Sequence, residues 1–293
     1  MRKAMQNCVR KFISEDANSA LLLVDIGAWP FHDFLVKYPE RAKNIGVFEP
    51  GTVSLAAGLS LAGITPTVYG ISPFIVQRSL EQIKLDFAYQ KAYGNFIATG
   101  ASYDFSTLGY SHYCAEDVAT LRLIPGVEIV TPGTPAQFET LWGRCHNDKN
   151  PTYYRMTDHC NKTECEVEFG KASVIKRGEQ GLVVCAAETL DIVIEAAKEL
   201  DVTILYYTTI SPFDEDALKQ EMKCGKVFVC TPFYEGTLTA CITKALQGER
   251  IRIEEQSVPL EILRNYGTKT EKDEYCGLSS KAIKQRLTDF ILS

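Results

Sequence analysis

Residues Asn44 to Gln82 read NIGVFEPGTVSLAAGLSLAGITPTVYGISPFIVQRSLEQ, and their reading decides the fold. Ile45-Gly46-Val47-Phe48 is a short apolar run of the kind that forms a buried strand. Glu49 ends it, followed by Pro50-Gly51. A small-residue helix is expected from Val53 to Ala62, because Ala56-Ala57-Gly58 allows close approach to a sheet. Gly63 is placed to cap its carboxyl end. A second strand, Thr67 to Ile71, leads through Pro73-Phe74 into a helix with Arg78 and Gln82. A carboxylate where a parallel strand hands over to a helix lies at the carboxyl edge of the sheet, where open α/β sheets bind ligands. Taken alone, Glu49 is also the acidic residue that a helix N-terminus favours.

Outward from this stretch, strands and helix-length segments alternate over all 293 residues. That length accommodates two ordinary cores. The expected fold class is α/β, with two doubly wound domains, each a mostly parallel sheet flanked by helices. On the amino-terminal side come an amphipathic helix over residues 1–18 and a fully apolar strand, Ala20 to Val24. That strand ends at Asp25, which either faces the ligand edge or caps the next helix. Beyond the central stretch lie strand Gly94 to Thr99, a long loop ending at His112, strand Val127 to Val130, helix Pro135 to Cys145, and strand Pro151 to Arg155. The polar segment Asp158 to Glu168 reads as a linker. Domains are therefore expected at residues 1–160 and 161–293. In the second, strands are expected at 181–187, 202–206, 226–230 and 251–254, with helices between them and a last helix from Ser279.

A net charge of −6 excludes a general nucleic-acid or anionic-membrane binder, but not a binder of small phosphorylated molecules. The ten cysteines are scattered and form no C-x-x-C pair, so neither a zinc site nor a disulfide framework is expected. Several sit in apolar strands, where a reduced thiol acts as a small hydrophobe. The apolar run near the amino terminus, Leu21 to Val24, is far too short to span a bilayer. Together these features predict a reduced, cytoplasmic protein.

Taken together, Glu49, Ala56-Ala57-Gly58-Leu59, Gly63-Ile64-Thr65-Pro66, Ser72-Pro73-Phe74 and Arg78-Ser79-Leu80-Glu81-Gln82-Ile83 resemble the pyrimidine-binding domain of the transketolase family. Leu108-Gly109-Tyr110-Ser111-His112 is similar to that family's D-G-x-T-H, and Glu116-Asp117 with Arg122 and Pro125 to its following helix. The resemblance implies a thiamine diphosphate enzyme. It implies that Glu49 hydrogen-bonds the cofactor's aminopyrimidine nitrogen, that Phe74 stacks on that ring, and that Arg78 and Asp25 lie beside it. It further implies that His112 handles substrate oxygens and that Arg155 binds the substrate phosphate. On the residues alone, Arg155 equally suits a pair with a neighbouring carboxylate. Leucine stands at position 108 where the family has an aspartate that contacts a donor hydroxyl. Gly133 and Thr231 also depart from acidic or amide positions.

The family anchors the diphosphate through magnesium bound by a G-D-G and a later Asn in a separate domain. This chain has no G-D-G and no other Gly-rich phosphate loop. The resemblance thus implies the C-terminal half of a split transketolase. Its partner subunit would supply the diphosphate domain and Mg2+, in an α2β2 assembly acting on sugar-like or phosphorylated small molecules, with no metal ligand from this chain. Two other readings remain. One is the β subunit of a 2-oxo acid dehydrogenase or decarboxylase. The other is a non-catalytic scaffold that kept the fold.

Overall fold

The computed structural model describes all residues from Met1 to Ser293. In chain order the first half runs α1 (Arg2–Glu15), β1 (Ser19–Leu23), α2 (His32–Lys37), β2 (Ala42–Asn44), α3 (Glu49–Leu61), β3 (Thr65–Ile71), α4 (Ser72–Val76) and α5 (Leu80–Gln82). It continues through β4 (Gly94–Thr99), α6 (Asp117–Leu121), β5 (Glu128–Val130), α7 (Pro135–Cys145) and β6 (Pro151–Met156). The second half runs β7 (Ala172–Lys176), β8 (Leu182–Ala186), α8 (Leu190–Ala196), β9 (Thr203–Tyr207), β10 (Thr209–Ser211) and α9 (Glu215–Glu221). It ends with β11 (Lys226–Cys230), α10 (Thr239–Ala245), β12 (Arg252–Glu255), α11 (Lys269–Tyr275) and α12 (Ser280–Leu292).

Two sheets result. The first has the order β10-β5-β6-β4-β3-β1-β2, the second β12-β11-β8-β9-β7. Every pairing is parallel except β10 on β5 and β7 on β9. Side chains alternate across a strand, so a fully apolar strand feeds two cores at once. In β1, Leu21 and Leu23 point to a layer with Met5, Val9, Phe138 and Trp142 from α1 and α7. Leu22 and Val24 point to the opposite layer with Val53, Ala56, Val68 and Ile75. This is the expected architecture of parallel sheets covered on both faces.

Several details differ from the sequence reading. The helix expected to carry Arg78 and Gln82 is broken, with Arg78 in the turn between α4 and α5, and α11 was not expected. The apolar run Ile45 to Phe48 is not a strand; β2 lies just before it, at Ala42–Asn44. Gly46 takes a positive φ of 84° and breaks the extended run. Val47 and Phe48 consequently face solvent, and Glu49 becomes the first residue of α3 rather than the last of a strand. The short antiparallel strands β7 and β10 were not legible either. The segment between β6 and β7, expected as a linker, contains no helix or strand.

The end of α3 is built as anticipated. Gly63 (φ +85°) follows the helix, its N–H donating to the Ser60 carbonyl at 2.9 Å, while Ile64 N–H reaches the Leu59 carbonyl at 2.9 Å. These two bonds are the Schellman pattern. A Cβ at Gly63 would meet no atom within 4 Å, so substitution there is opposed by backbone conformation alone. Gly63→Ala should therefore cost about 1–2 kcal/mol. Gly58→Ala, inside the helix with equally open space, should gain about 0.5–1 kcal/mol. Urea unfolding of the isolated chain checks both, and equal signs for the two changes would refute the account.

Candidate functional site

The parallel strands of the first sheet share one carboxyl edge, and the chain's chemistry-bearing side chains leave from it. Asp25 follows β1, Glu49 follows β2, Phe74 and Arg78 follow β3, and His112 ends the loop after β4. The direction of winding reverses between β1 and β3, because β1 connects to β2 on one side and β3 to β4 on the other. A crevice at such a reversal is where open α/β sheets take ligands.

Glu49 is 3% exposed at the first position of α3, where the helix dipole favours a carboxylate. Its side-chain hydrogen-bond partner is Arg78, whose guanidinium nitrogen donates to both carboxyl oxygens at 3.4 Å. These are long contacts, and Arg78 keeps 47% of its side chain exposed. Burial without tight donors leaves Glu49 with hydrogen-bonding capacity to spare.

The same guanidinium lies 3.8 Å over the ring of Phe74, covering one of its faces. The ring of His112 meets Phe74 edge-on at 5.2 Å, and Phe105 approaches the imidazole at 6.4 Å. His112 Nδ1 is 3.0 Å from Ser111 Oγ. Four of the expected residues, Glu49, Arg78, Phe74 and His112, thus form one continuous chain of contacts. Asp25 stands apart from it. It is exposed, with φ +70°, and its N–H donates to Asn44 Oδ1 at 3.0 Å.

Arg155 is placed differently from the substrate-phosphate contact expected for it. It is 1% exposed, and its Nε donates to Asp117 Oδ2 at 3.1 Å while Nη1 donates to Glu188 Oε2 at 3.0 Å. Its other terminal nitrogen donates to Ser102 Oγ. All three nitrogens are engaged within the protein, and the burial closes the guanidinium to a substrate. The carboxylate pairing left open by the sequence is what the structure contains. Asp117, from the family-like Glu116-Asp117 phrase, also accepts from Tyr153 Oη at 2.8 Å. Loss of water and the nearby Glu188 charge raise the Asp104 carboxyl beside this network to about 7, against the lowering pull of the Asp158 N–H, Arg155 and Lys269.

Two departures from the family pattern acquire reasons. Leu108 is 54% exposed in the His112 loop, so it occupies the open side of the site rather than the core. At Gly133 a Cβ would lie 2.2 Å from Asn161 Nδ2 and 2.3 Å from Tyr206 Oη. No side chain fits there, because the segment leading to the second sheet crosses at that point, its Asn161 N–H donating to the Gly133 carbonyl at 2.9 Å. Nothing in the local sequence signals this close approach.

Comparison with known proteins adds independent findings. Residues 1–159 match the family described as transketolase, pyrimidine binding domain. A 33.6 kDa protein of the fasciation locus of Rhodococcoides fascians is 31% identical, over 95% of this chain and 91% of its own. The B-type subunit of the apulose-4-phosphate transketolase of Phocaeicola vulgatus is 24% identical, over 99% of this chain and 97% of its own. Among solved structures, a split-gene transketolase described as an inactive beta4 tetramer superposes with a TM-score of 0.88 at 23% identity. It covers 99% of this chain and 98% of its own. No helix is long and apolar enough to cross a membrane.

The buried network generates two stability predictions. Arg155→Met strands Asp117 and Glu188 without their cation and should cost about 3–5 kcal/mol, read as a lowered urea midpoint. Asp104 is an acid whose folded pKa lies above its unfolded one, so it holds its proton longer when folded. Its contribution therefore falls as pH rises from the unfolded range toward about 7, and stays lost above it. Asp104→Asn should lose less stability than the parent between pH 5 and pH 8. Parallel pH profiles for the two proteins would contradict this.

Proposed function

The chain belongs to the family of transketolase pyrimidine-binding domains, and on that premise we propose that it is the β-type subunit of a two-subunit transketolase-type transferase. The enzyme moves a two-carbon ketol or related acyl unit between sugar-like or phosphorylated substrates. A partner chain supplies the diphosphate-binding domain with its magnesium ligands, in an α2β2 heterotetramer. The observation that carries this reading is the convergence of buried Glu49 with Arg78, Phe74 and His112 at the carboxyl edge. It occurs in a chain that spans 97% of a protein named as one subunit of a transketolase.

The residues present fit one end of thiamine diphosphate. A buried carboxyl with free hydrogen-bonding capacity and an adjacent aromatic ring suit the aminopyrimidine. When bound, the cofactor supplies an electron sink for the carbanion released by C–C cleavage. Glu49 would hold the aminopyrimidine through a carboxyl oxygen that can take or give a proton, and its low exposure would keep water from competing. Arg78 bridges Glu49 to Phe74 and keeps both in register, while Phe74 orients the imidazole of His112. His112 then serves the substrate's oxygens by donating or accepting at its ring nitrogens. Asp25, exposed after β1 on the same carboxyl edge, would add a carboxylate beside the cofactor.

The same edge carries exposed apolar side chains, with Trp29 at 88%, Val47 at 68% and Phe48 at 61%. Large exposed apolar residues on a ligand edge suit coverage by another subunit. This supports the two-chain reading over an isolated scaffold.

The deciding experiment pairs the chain with its diphosphate-domain partner and compares Glu49→Gln with the parent. The expected result is unchanged assembly and unfolding temperature, with turnover lowered more than about a hundredfold. Turnover within about tenfold of the parent would remove Glu49 from the mechanism. Carbon dioxide release from a 2-oxo acid, without ketol transfer, would assign the pair to the 2-oxo acid decarboxylase class instead.

A further inference from the structure

The loop carrying His112 has little structure of its own. Between β4 and α6 it is tied to itself by one isolated bridge, Ser102 with Cys114, and by two short 3₁₀ turns. On one side it rests on α4, through Phe74 against His112. Near its start it is also held by β6 and the residues after it, through Met156, Arg155 and Asp158. A further set of contacts from the second half of the chain follows the loop along its length.

Ser102 Oγ donates to the Pro232 carbonyl. Tyr103 Oη donates to Asp273 Oδ1 at 2.6 Å, and Asp273 is itself held by Lys269 at 2.8 Å. The hydroxyls of Tyr110 and Tyr234 lie 3.3 Å apart, and the Tyr234 N–H donates to the Ala115 carbonyl at 3.0 Å. Tyr113 Oη donates to the loop's own Ser106 carbonyl at 2.9 Å and lies 3.3 Å from the Asn265 carbonyl. At Gly109 (φ +86°) a Cβ would come within 2.8 Å of the Tyr266 ring. The Gly109 carbonyl in turn accepts the His112 N–H at 3.0 Å. The Tyr266 ring, though 72% exposed, thus lies against the glycine whose carbonyl holds the His112 N–H.

We infer that Tyr234 and Tyr266, which lie far from His112 in sequence, are positioning residues that hold the His112 loop in its working geometry. The second half of the chain thus does more than frame the first. Tyrosine suits the task because it fixes a large ring and a hydroxyl with only two side-chain torsions. Correct placement matters because small displacements of a positioned group lower catalytic efficiency steeply. The catalytic consequence rests on the role proposed above for His112, whereas the mechanical coupling does not.

The chain has only four histidines, so the experiment follows their imidazole proton resonances in the isolated chain. His112→Asn identifies the His112 signal. Tyr266→Ala should shift or broaden that signal while leaving those of His32 and His146 in place. Tyr234→Phe, which removes a single hydroxyl and keeps the ring, should move it less but in the same experiment. Should Tyr266→Ala disturb the segment around it, the Phe variant alone decides the matter. In the reconstituted pair, both changes should raise the donor KM or lower kcat/KM by about tenfold, with cofactor affinity unchanged. A His112 signal unmoved in both variants overturns the inference. If His112→Asn keeps full turnover while Tyr266→Ala still moves the signal, the coupling stands and the proposed role of His112 fails. If His112→Asn abolishes turnover and neither tyrosine change has any effect, the coupling fails and the role of His112 stands.

Discussion

Arg155 leaves β6, inside the first sheet, with no water to solvate its charge, and its carboxylate partners come from both halves of the chain. Asp117 belongs to α6 of the first, and Glu188 to the turn before α8 of the second. A buried guanidinium is tolerated only when its donors are matched, and here the matching requires both sheets to hold one relative position. Phe233, also from the second half, closes over it at 4.9 Å. The loop that presents His112 starts at the same cluster, since Ser102 Oγ accepts from Arg155. The placement of the candidate histidine is thus anchored at one end by this pairing and along its length by tyrosines of the second half.

The opposite wall of the site depends on different physics. Glu49, Arg78, Phe74 and His112 form a sequence of alternating charge and aromatic contacts. Each element arrives by the rule that parallel strands deliver their exits to one edge. The helix terminus favours a carboxylate at Glu49, and the half-exposed Arg78 offsets its burial without tying it up. An interaction of 3.4 Å to a flexible arginine can be exchanged for a ligand more readily than a short bidentate pair.

How much of this was legible in the sequence depends on which forces act locally. Strands β4 and β11 and helix α7 have the boundaries expected, because apolar runs and turn residues bracket them. The cap at Gly63 was readable since its conformation is set within four residues. The strand expected at Ile45 to Phe48 was not there, because Gly46 turns the chain and the apolar residues meet solvent instead of a core. Glu49, Arg78, Phe74 and His112 were identifiable as a group only through their joint pattern, and their mutual contacts are tertiary. Arg155 shows the limit most plainly. One arginine at the end of an apolar strand reads the same whether it meets a substrate or two buried carboxylates more than thirty residues away. Gly133 was likewise opaque, since a distant stretch of backbone and a tyrosine exclude a side chain there.

Strand β10 gives the boundary between the two halves an unexpected character. It lies beyond the residues that match the family, yet it pairs antiparallel with β5 and closes that margin of the first sheet. An unpaired strand margin offers its N–H and C=O groups to any passing chain. The matched stretch 1–159 is therefore a unit of ancestry rather than a unit of solubility. Severed from the second half, it would show β5 as a bare edge, open to self-association, so the carboxyl-terminal residues act as a built-in cover for the first sheet.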